Sequence, residues 1–263
     1  MLISGDDIPV AYDRFRNRVM FPITDMRGRP IAFGGRALDA DAPAKYLNSP
    51  ETPLFHKGHV LFNAANARKP AFDTGHVVVV EGYMDVIALS EAGFPATVAP
   101  LGTALTIEQV KLLWRMAKEP VLCFDGDNAG RRAAFRAVET VLPHLVPGQS
   151  VQFAFLPDGL DPDDLVRQRG AAAFKDVLAR TVPLFDVLLE REEQSGPPAV
   201  TPEQRASLEA RLMGLVGQIA DRGVRDQYLR EMRETLWAKN RRLLKEIAGA
   251  AGGPRSAQIA GRR

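Results

Sequence analysis

Cysteine is nearly missing from this chain: one residue in 263, Cys123. A lone cysteine excludes an internal disulfide and any thiolate zinc site built from this chain alone. Its setting, Val121-Leu122-Cys123-Phe124, marks it as a small buried hydrophobe. Long apolar runs are missing too. None approaches the roughly 20 residues that cross a bilayer, so no membrane contact is expected. The start, Met1-Leu2-Ile3-Ser4-Gly5-Asp6-Asp7, lacks a basic stretch followed by an apolar core, so no signal peptide is evident and a cytoplasmic protein is expected. Histidine is scarce, with four residues. His56 and His59 lie close in sequence but have no third ligand nearby, and read as a surface pair rather than a metal site.

What is present is ordinary globular composition, 46% hydrophobic and 25% charged, in a chain long enough for two or three small domains. The formal net charge of +2 conceals a segregation: residues 1–72 carry +3, residues 73–165 carry −7 and residues 166–263 carry +6. An acidic middle between basic flanks suits a cation-binding centre beside a polyanion track.

Residues 1–72 read as strands and loops. Arg14-Phe15-Arg16-Asn17-Arg18 alternates at period two, which would put three guanidinium groups on one face of an extended segment. Val19-Met20-Phe21-Pro22-Ile23 and Ile31-Ala32-Phe33 read as a hairpin turning at Gly28. Gly34-Gly35 allows close approach of a backbone or ligand. Lys45-Tyr46-Leu47-Asn48-Ser49-Pro50-Glu51-Thr52 reads as a loop. Each cation here, taken singly, is a solvated surface charge. As a set interleaved with Tyr46 and Phe55, they form a nucleic-acid-facing strip.

Residues 76–165 repeat a βα unit four times. Strands are expected at 77–80, 96–99, 121–124 and 151–156, each followed by a helical pattern. Thr106-Ile107-Glu108-Gln109 is a capping box, and Asp161 followed by Pro162 is a helix start. Alternation of this kind implies a mostly parallel sheet. Residues 179–248 read as helix throughout, a small bundle with a second capping box at Thr201-Pro202-Glu203-Gln204. The Gly/Ala/Arg-rich stretch from Gly249 reads as a disordered tail.

Acids terminate three of the expected strands: Glu81, then Asp125 with Asp127, then Asp161 with Asp163 and Asp164. If a helix begins directly after Glu81, Asp85 lies one turn on. In a parallel sheet these ends share one edge, where ligands bind. Carboxylates ~5 Å apart repel by ~3 kcal/mol per pair at an effective dielectric of ~20, so such a cluster needs protons or cations. Oxygen ligands without histidine or thiolate favour Mg²⁺ or Mn²⁺ over zinc. The plainer alternative is that these acids only cap helices and turns.

Glu81-Gly82-Tyr83-Met84-Asp85, Leu101-Gly102-Thr103, Asp125-Gly126-Asp127-Asn128-Ala129-Gly130 and Leu156-Pro157-Asp158-Gly159-Leu160-Asp161-Pro162-Asp163 resemble the TOPRIM signature of bacterial DnaG-type primases. Arg14-Phe15-Arg16, Gly34-Gly35-Arg36 and the stretch from Lys45 to Thr52 resemble the subdomain that precedes TOPRIM in them. The resemblance implies an α/β fold: a TOPRIM-type mostly parallel sheet flanked by helices (73–178), after a small mixed basic subdomain (1–72) and before a helical part (179–248), with 249–263 as a tail. It implies a DNA-templated RNA polymerase, a nucleotidyltransferase at the replication fork that makes short RNA primers from nucleoside triphosphates on single-stranded DNA. By position, Glu81, Asp125 and Asp127 would be catalytic metal ligands, with Asp85, Asp161 and Asp163 completing the acidic centre. Arg16, Arg18, Arg36, Lys45 and Lys57 would hold template, primer or triphosphate.

On the same resemblance, the chain is a fragment of the polymerase core. Zinc is expected only in an N-terminal domain that this chain lacks. A replicative helicase would be met through a C-terminal domain that is also missing. Two rivals remain. One is a TOPRIM nuclease or topoisomerase, although none of Tyr12, Tyr46, Tyr83 and Tyr228 sits in a recognisable strand-cleaving context. The other is a non-catalytic TOPRIM module that only binds DNA.

Overall fold

The computed structural model describes residues 2–3, 12–102 and 104–251, so Thr103 and the tail beyond Ala251 lie outside it. Short strands open the chain: β1 (Leu2–Ile3) pairs antiparallel with β2 (Tyr12–Asp13). Asn17 then adopts a φ of 51°, which breaks the expected run of alternating arginines before β3 (Arg18–Thr24) begins. The expected hairpin forms. β3 and β4 (Pro30–Ala37) pair antiparallel around a turn in which Gly28 takes a φ of +81°. β5 (Tyr46–Asn48), expected as loop, adds a third antiparallel strand against Gly34, Gly35 and Arg36. The glycine pair serves close packing: a Cβ on Gly34 would meet the Tyr83 ring at 2.9 Å, and one on Gly35 would meet Phe15 at 2.8 Å.

A helix, α1 (Ala64–Thr74), occupies residues read as strand or loop. It carries Pro70 and buries only alanines, Ala64, Ala67 and Ala71, so no large-apolar stripe advertised it.

The four βα units follow. β6 (Val78–Val79) leads to α2 (Tyr83–Glu91), β7 (Thr97–Val98) to α3 (Ile107–Trp114), β8 (Val121–Gly126) to α4 (Asn128–Val141), and β9 (Gln152–Asp158) to α5 (Pro162–Leu178). All four valines from 77 to 80 are buried, as a strand covered on both faces requires. The pairs β6–β7, β6–β8 and β8–β9 are parallel. A further strand, β10 (Val182–Pro183), joins β9 antiparallel within the segment read as wholly helical, giving the order β10-β9-β8-β6-β7. Val86 and Leu89 of α2 and Leu165 and Phe174 of α5 pack with Val78, Val80, Val121 and Cys123 as one core.

The sheet direction turns at β6, whose successor β7 lies on one side while β8 lies on the other. In open α/β sheets the crevice at such a switch, beyond the carboxyl ends of the strands, is where ligands bind. Glu81, just past β6, and Asp125, near the end of β8, lie at these ends.

The chain divides into two compact units: Met1–Val141 with Gly148–Val187, and Leu142–Pro147 with Leu188–Arg263. α6 (Leu184–Gln194) leads into the second, which continues as α7 (Pro202–Val216) and α8 (Arg222–Ala251). The expected caps form at Thr106 and Thr201, each accepting from the residue three ahead while that glutamine reaches back. Leu208, Leu212, Val216, Ile219 and Met232 make the buried stripe of the second unit. Its buried carboxylate, Glu192, is held by Arg211 Nε at 3.1 Å. α8 runs on to Ala251, past Gly249, where the sequence suggested that order ends.

Candidate active site

Glu81 follows β6, and Gly82, in extended conformation, starts α2. The turn is closed by Asp85, whose Oδ2 accepts from the Gly82 N–H at 3.0 Å. Glu81 keeps part of its surface in solvent, and the backbone N–H of Asp125 favours its charged form. β6 and β8 are parallel neighbours, so their ends lie side by side.

The third acidic segment reaches the same place through Gly126. This residue pairs with Asp158, and the turn after β9 folds over it, with Gly159 N–H donating to Gly126 O at 3.2 Å. A Cβ on Gly126 would collide with the carbonyl groups of Pro157 and Leu156. Only glycine permits the approach that brings Asp161 and Asp163 beside the end of β8.

Electrostatics register the convergence. Burial pushes Asp125 up to about 7, and Glu81, Asp85, Asp161 and Asp127 add to the rise. Burial likewise pushes Asp85 up to about 7, with Asp161, Asp163 and Glu81 contributing. Glu81 is raised by partial desolvation and by Asp127, against the Asp125 backbone N–H and the charge of Arg136. Raised to about 7, Asp85 and Asp125 are partly protonated at neutral pH or take a cation in place of the proton.

Several acids also satisfy local backbone groups. Asp127 Oδ1 accepts from Gly130 N–H at 2.7 Å, and Asp161 Oδ1 from Asp164 N–H at 2.7 Å. Asp163 Oδ1 lies 2.6 Å from Arg167 Nε. Among the described residues, no three His, Cys, Asp or Glu side chains are close enough together to hold one metal ion. The capping reading and the cation reading thus apply to the same side chains. Asp127, Asp161 and Asp163 are engaged with N–H groups and Arg167, and a bound cation would require them to reorient.

A cleft of about 360 Å³ opens over this edge. Its acidic wall, Glu81, Asp85, Asp161 and Asp163, comes from the parallel-sheet edge, and its cationic wall, Arg36 and Lys45 with Tyr46 and Asn48, from the three-stranded sheet. The Arg36 guanidinium carbon lies 6.0 Å from the Tyr46 ring centre. Tyr46 is raised by burial and by Asp85, Asp161 and Asp163, while Arg36 opposes the rise. A trough with cations on one wall and carboxylates on the other suits a triphosphate with its accompanying divalent ion.

The remaining basic candidates lie elsewhere. Arg16 stacks over the Tyr12 ring at 4.8 Å. Arg18 is occupied within the small sheet, donating to Ala44 O at 2.8 Å and to the carbonyls of Gly35 and Lys45. Lys57 sits in a 3₁₀ turn anchored by its N–H to Glu51. The sequence reading missed Asn48, Tyr83 and Arg14. Tyr83 donates to Asn48 Oδ1 at 2.6 Å, and Arg14 donates to Asn48 O. A partnership 35 residues apart leaves no local pattern to read.

A family model for the Toprim domain matches residues 75–152, one for the N-terminal domain of the DNA primase catalytic core matches residues 1–68, and one for the DnaB-helicase binding domain of primase matches residues 185–236. The last match corrects the expectation that the chain lacks a part resembling a helicase-binding domain. The DNA primase of Pseudomonas aeruginosa is 48% identical over 226 residues, covering 86% of this chain and 34% of the relative. A crystal structure of a DNA primase domain from the same organism superposes with a TM-score of 0.83 at 47% identity, covering 89% of this chain and 72% of that one. A DnaG primase catalytic domain bound to ssDNA gives a TM-score of 0.80 at 44% identity, covering 89% and 74%. This chain belongs to the DnaG-type DNA primase family. It spans about a third of the length of the curated relative it matches.

Proposed function

We propose that this chain carries the nucleotidyl-transfer centre of a primase, joining ribonucleoside triphosphates into short RNA primers on single-stranded DNA at the replication fork. The carrying observation is the cleft itself, which is lined both by the acids at the sheet's switch point and by Arg36 and Lys45. A donor set of carboxylates alone, with Asp85 and Asp125 raised to about 7, fits a hard divalent ion, Mg²⁺ or Mn²⁺. Glu81, Asp125 and Asp127 would hold it, with Asp85, Asp161 and Asp163 completing the centre. A divalent ion there supplies the positive charge that activates a ribose 3′-hydroxyl and neutralises a pyrophosphate leaving group.

The chain's own residues orient the reactants. Arg36 and Lys45 offer charge to phosphate oxygens, and Tyr46 flanks them. On this reading residues 73–178 form the catalytic domain, 1–72 and 179–248 flank it, and Arg16, Arg18 and Lys57 belong to the wider basic strip. The reading assigns no zinc to this chain. The match over residues 185–236 supports a replicative-helicase contact within the helical part, and the family supports a cytoplasmic site of action. The ssDNA-bound relative supports a single-stranded template.

The test uses the chain alone and exchanged for the matching segment of the P. aeruginosa primase, with a single-stranded template, NTPs and Mg²⁺. Short RNA products that Glu81→Gln abolishes are expected. Synthesis undiminished by Glu81→Gln rejects the catalytic assignment, and DNA nicking without ribonucleotides would favour the nuclease.

A further inference from the structure

Tyr83 stands in sequence between Glu81 and Asp85, but its side chain runs to the three-stranded sheet. Its ring stacks on Phe21 at 5.4 Å, meets Phe62 edge-on at 4.7 Å and rests against Gly34. Its hydroxyl donates to Asn48 Oδ1 at 2.6 Å, while Asn48 Nδ2 donates to Leu101 O at 2.9 Å. These two bonds fix the amide orientation, because a flipped amide would set its oxygen against the Leu101 carbonyl. The main-chain oxygen of Asn48 takes two further bonds, from Arg14 Nε at 3.2 Å and Nη2 at 3.0 Å. Asn48 is thus tied to three separate stretches of chain at the point where β5 ends. The residues just before it, Lys45 and Tyr46, line the cleft.

We propose that Tyr83 is a positioning residue: acting through Asn48, its hydroxyl sets the spacing between the cationic wall and the acidic wall, and so governs affinity for the triphosphate rather than the chemical step. The inference rests on the functional reading above. The spacing matters because phosphate oxygens and their divalent ion must meet both walls at once, and small misplacements of binding groups are costly. The ring contacts belong to packing, and the hydroxyl alone belongs to the spacing.

Tyr83→Phe separates the two roles, since it keeps the contacts with Phe21, Phe62 and Gly34. Equilibrium titration with a fluorescent ATP analogue and Mg²⁺, together with kcat and KM for primer synthesis, is compared for wild type, Tyr83→Phe, Asn48→Ala and the double variant. Loss of one hydrogen bond that leaves a half-buried acceptor unpaired weakens triphosphate binding and raises KM about tenfold, with kcat within twofold. The double variant is no worse than Asn48→Ala, because both changes remove one interaction. Unchanged nucleotide affinity in Tyr83→Phe, or additive losses in the double variant, overturns the inference. If Tyr83→Phe does not fold, Asn48→Ala decides: a fall in kcat at constant KM overturns it. A wild-type chain that binds no nucleotide overturns the functional reading as well, whereas normal binding that Tyr83→Phe leaves intact removes this inference alone.

Discussion

Glu81, just past β6, raises the carboxyl of Asp125, near the end of β8, because the two strands are parallel neighbours at the sheet's switch point. Two acids from strands adjacent in space but some forty residues apart in sequence are thereby held at one edge. Partial burial and neighbouring carboxylates, Asp127 for Glu81 and Glu81 itself for Asp125, raise both groups, and a divalent cation would relieve that repulsion.

The sign of the pH dependence follows. Asp85 and Asp125 rise from 3.8 to about 7 in the folded chain. Between these limits the folded, cation-free state holds more protons than the unfolded state, so these two groups make stability fall as pH rises through the window and level off above it. Asp85→Asn removes part of the repulsion, and its amide oxygen still accepts from Gly82. Its thermal midpoint at pH 8 should exceed wild type by about 2–4 °C, and the gap should close near pH 4. Calorimetry across pH 4–8 in chelator measures this. A variant that tracks wild type throughout contradicts it.

Gly126→Ala should be costly, because the new Cβ collides with backbone carbonyls that cannot swing aside. A loss of roughly 2–3 kcal/mol in urea unfolding is expected, as for overpacking against rigid neighbours. The turn carrying Asp161 and Asp163 would also be forced away, so cation affinity should fall with stability. A neutral Gly126→Ala would mean that the two strand ends need not approach so closely.

Lys45 and Arg18 should separate by role. Lys45 faces the cleft, so Lys45→Ala should weaken single-stranded DNA or nucleotide binding and lower the salt slope by about 0.7. Arg18 is spent on three carbonyls, so Arg18→Ala should lower the thermal midpoint more than the slope. Salt-dependent fluorescence anisotropy and thermal melts on both variants provide the check.

The four βα units were legible because each apolar run is bounded by turn residues and followed by a helical pattern. The shared acidic edge followed from parallel strands alone. Other elements carried no readable signal. α1 buries only alanines and contains a proline, and β10 is two residues long. The arginine alternation looked like one strand until Asn17 turned left-handed. The capping duties of Asp127 and Asp161 match the plainer reading of those acids, yet they coexist with the raised carboxyls of Asp85 and Asp125. The Tyr83–Asn48 bond and the apposition of Tyr46 to Asp161 are products of tertiary packing, and neither has a local pattern.

Manganese binding by the chain alone tests the centre most directly, read by loss of the free Mn²⁺ EPR signal at pH 7.5. Wild type should bind the ion, Mg²⁺ should displace it, and Glu81→Gln and Asp125→Asn should each weaken binding at least tenfold while remaining folded. Binding that both variants retain, or its absence in wild type, would contradict the account.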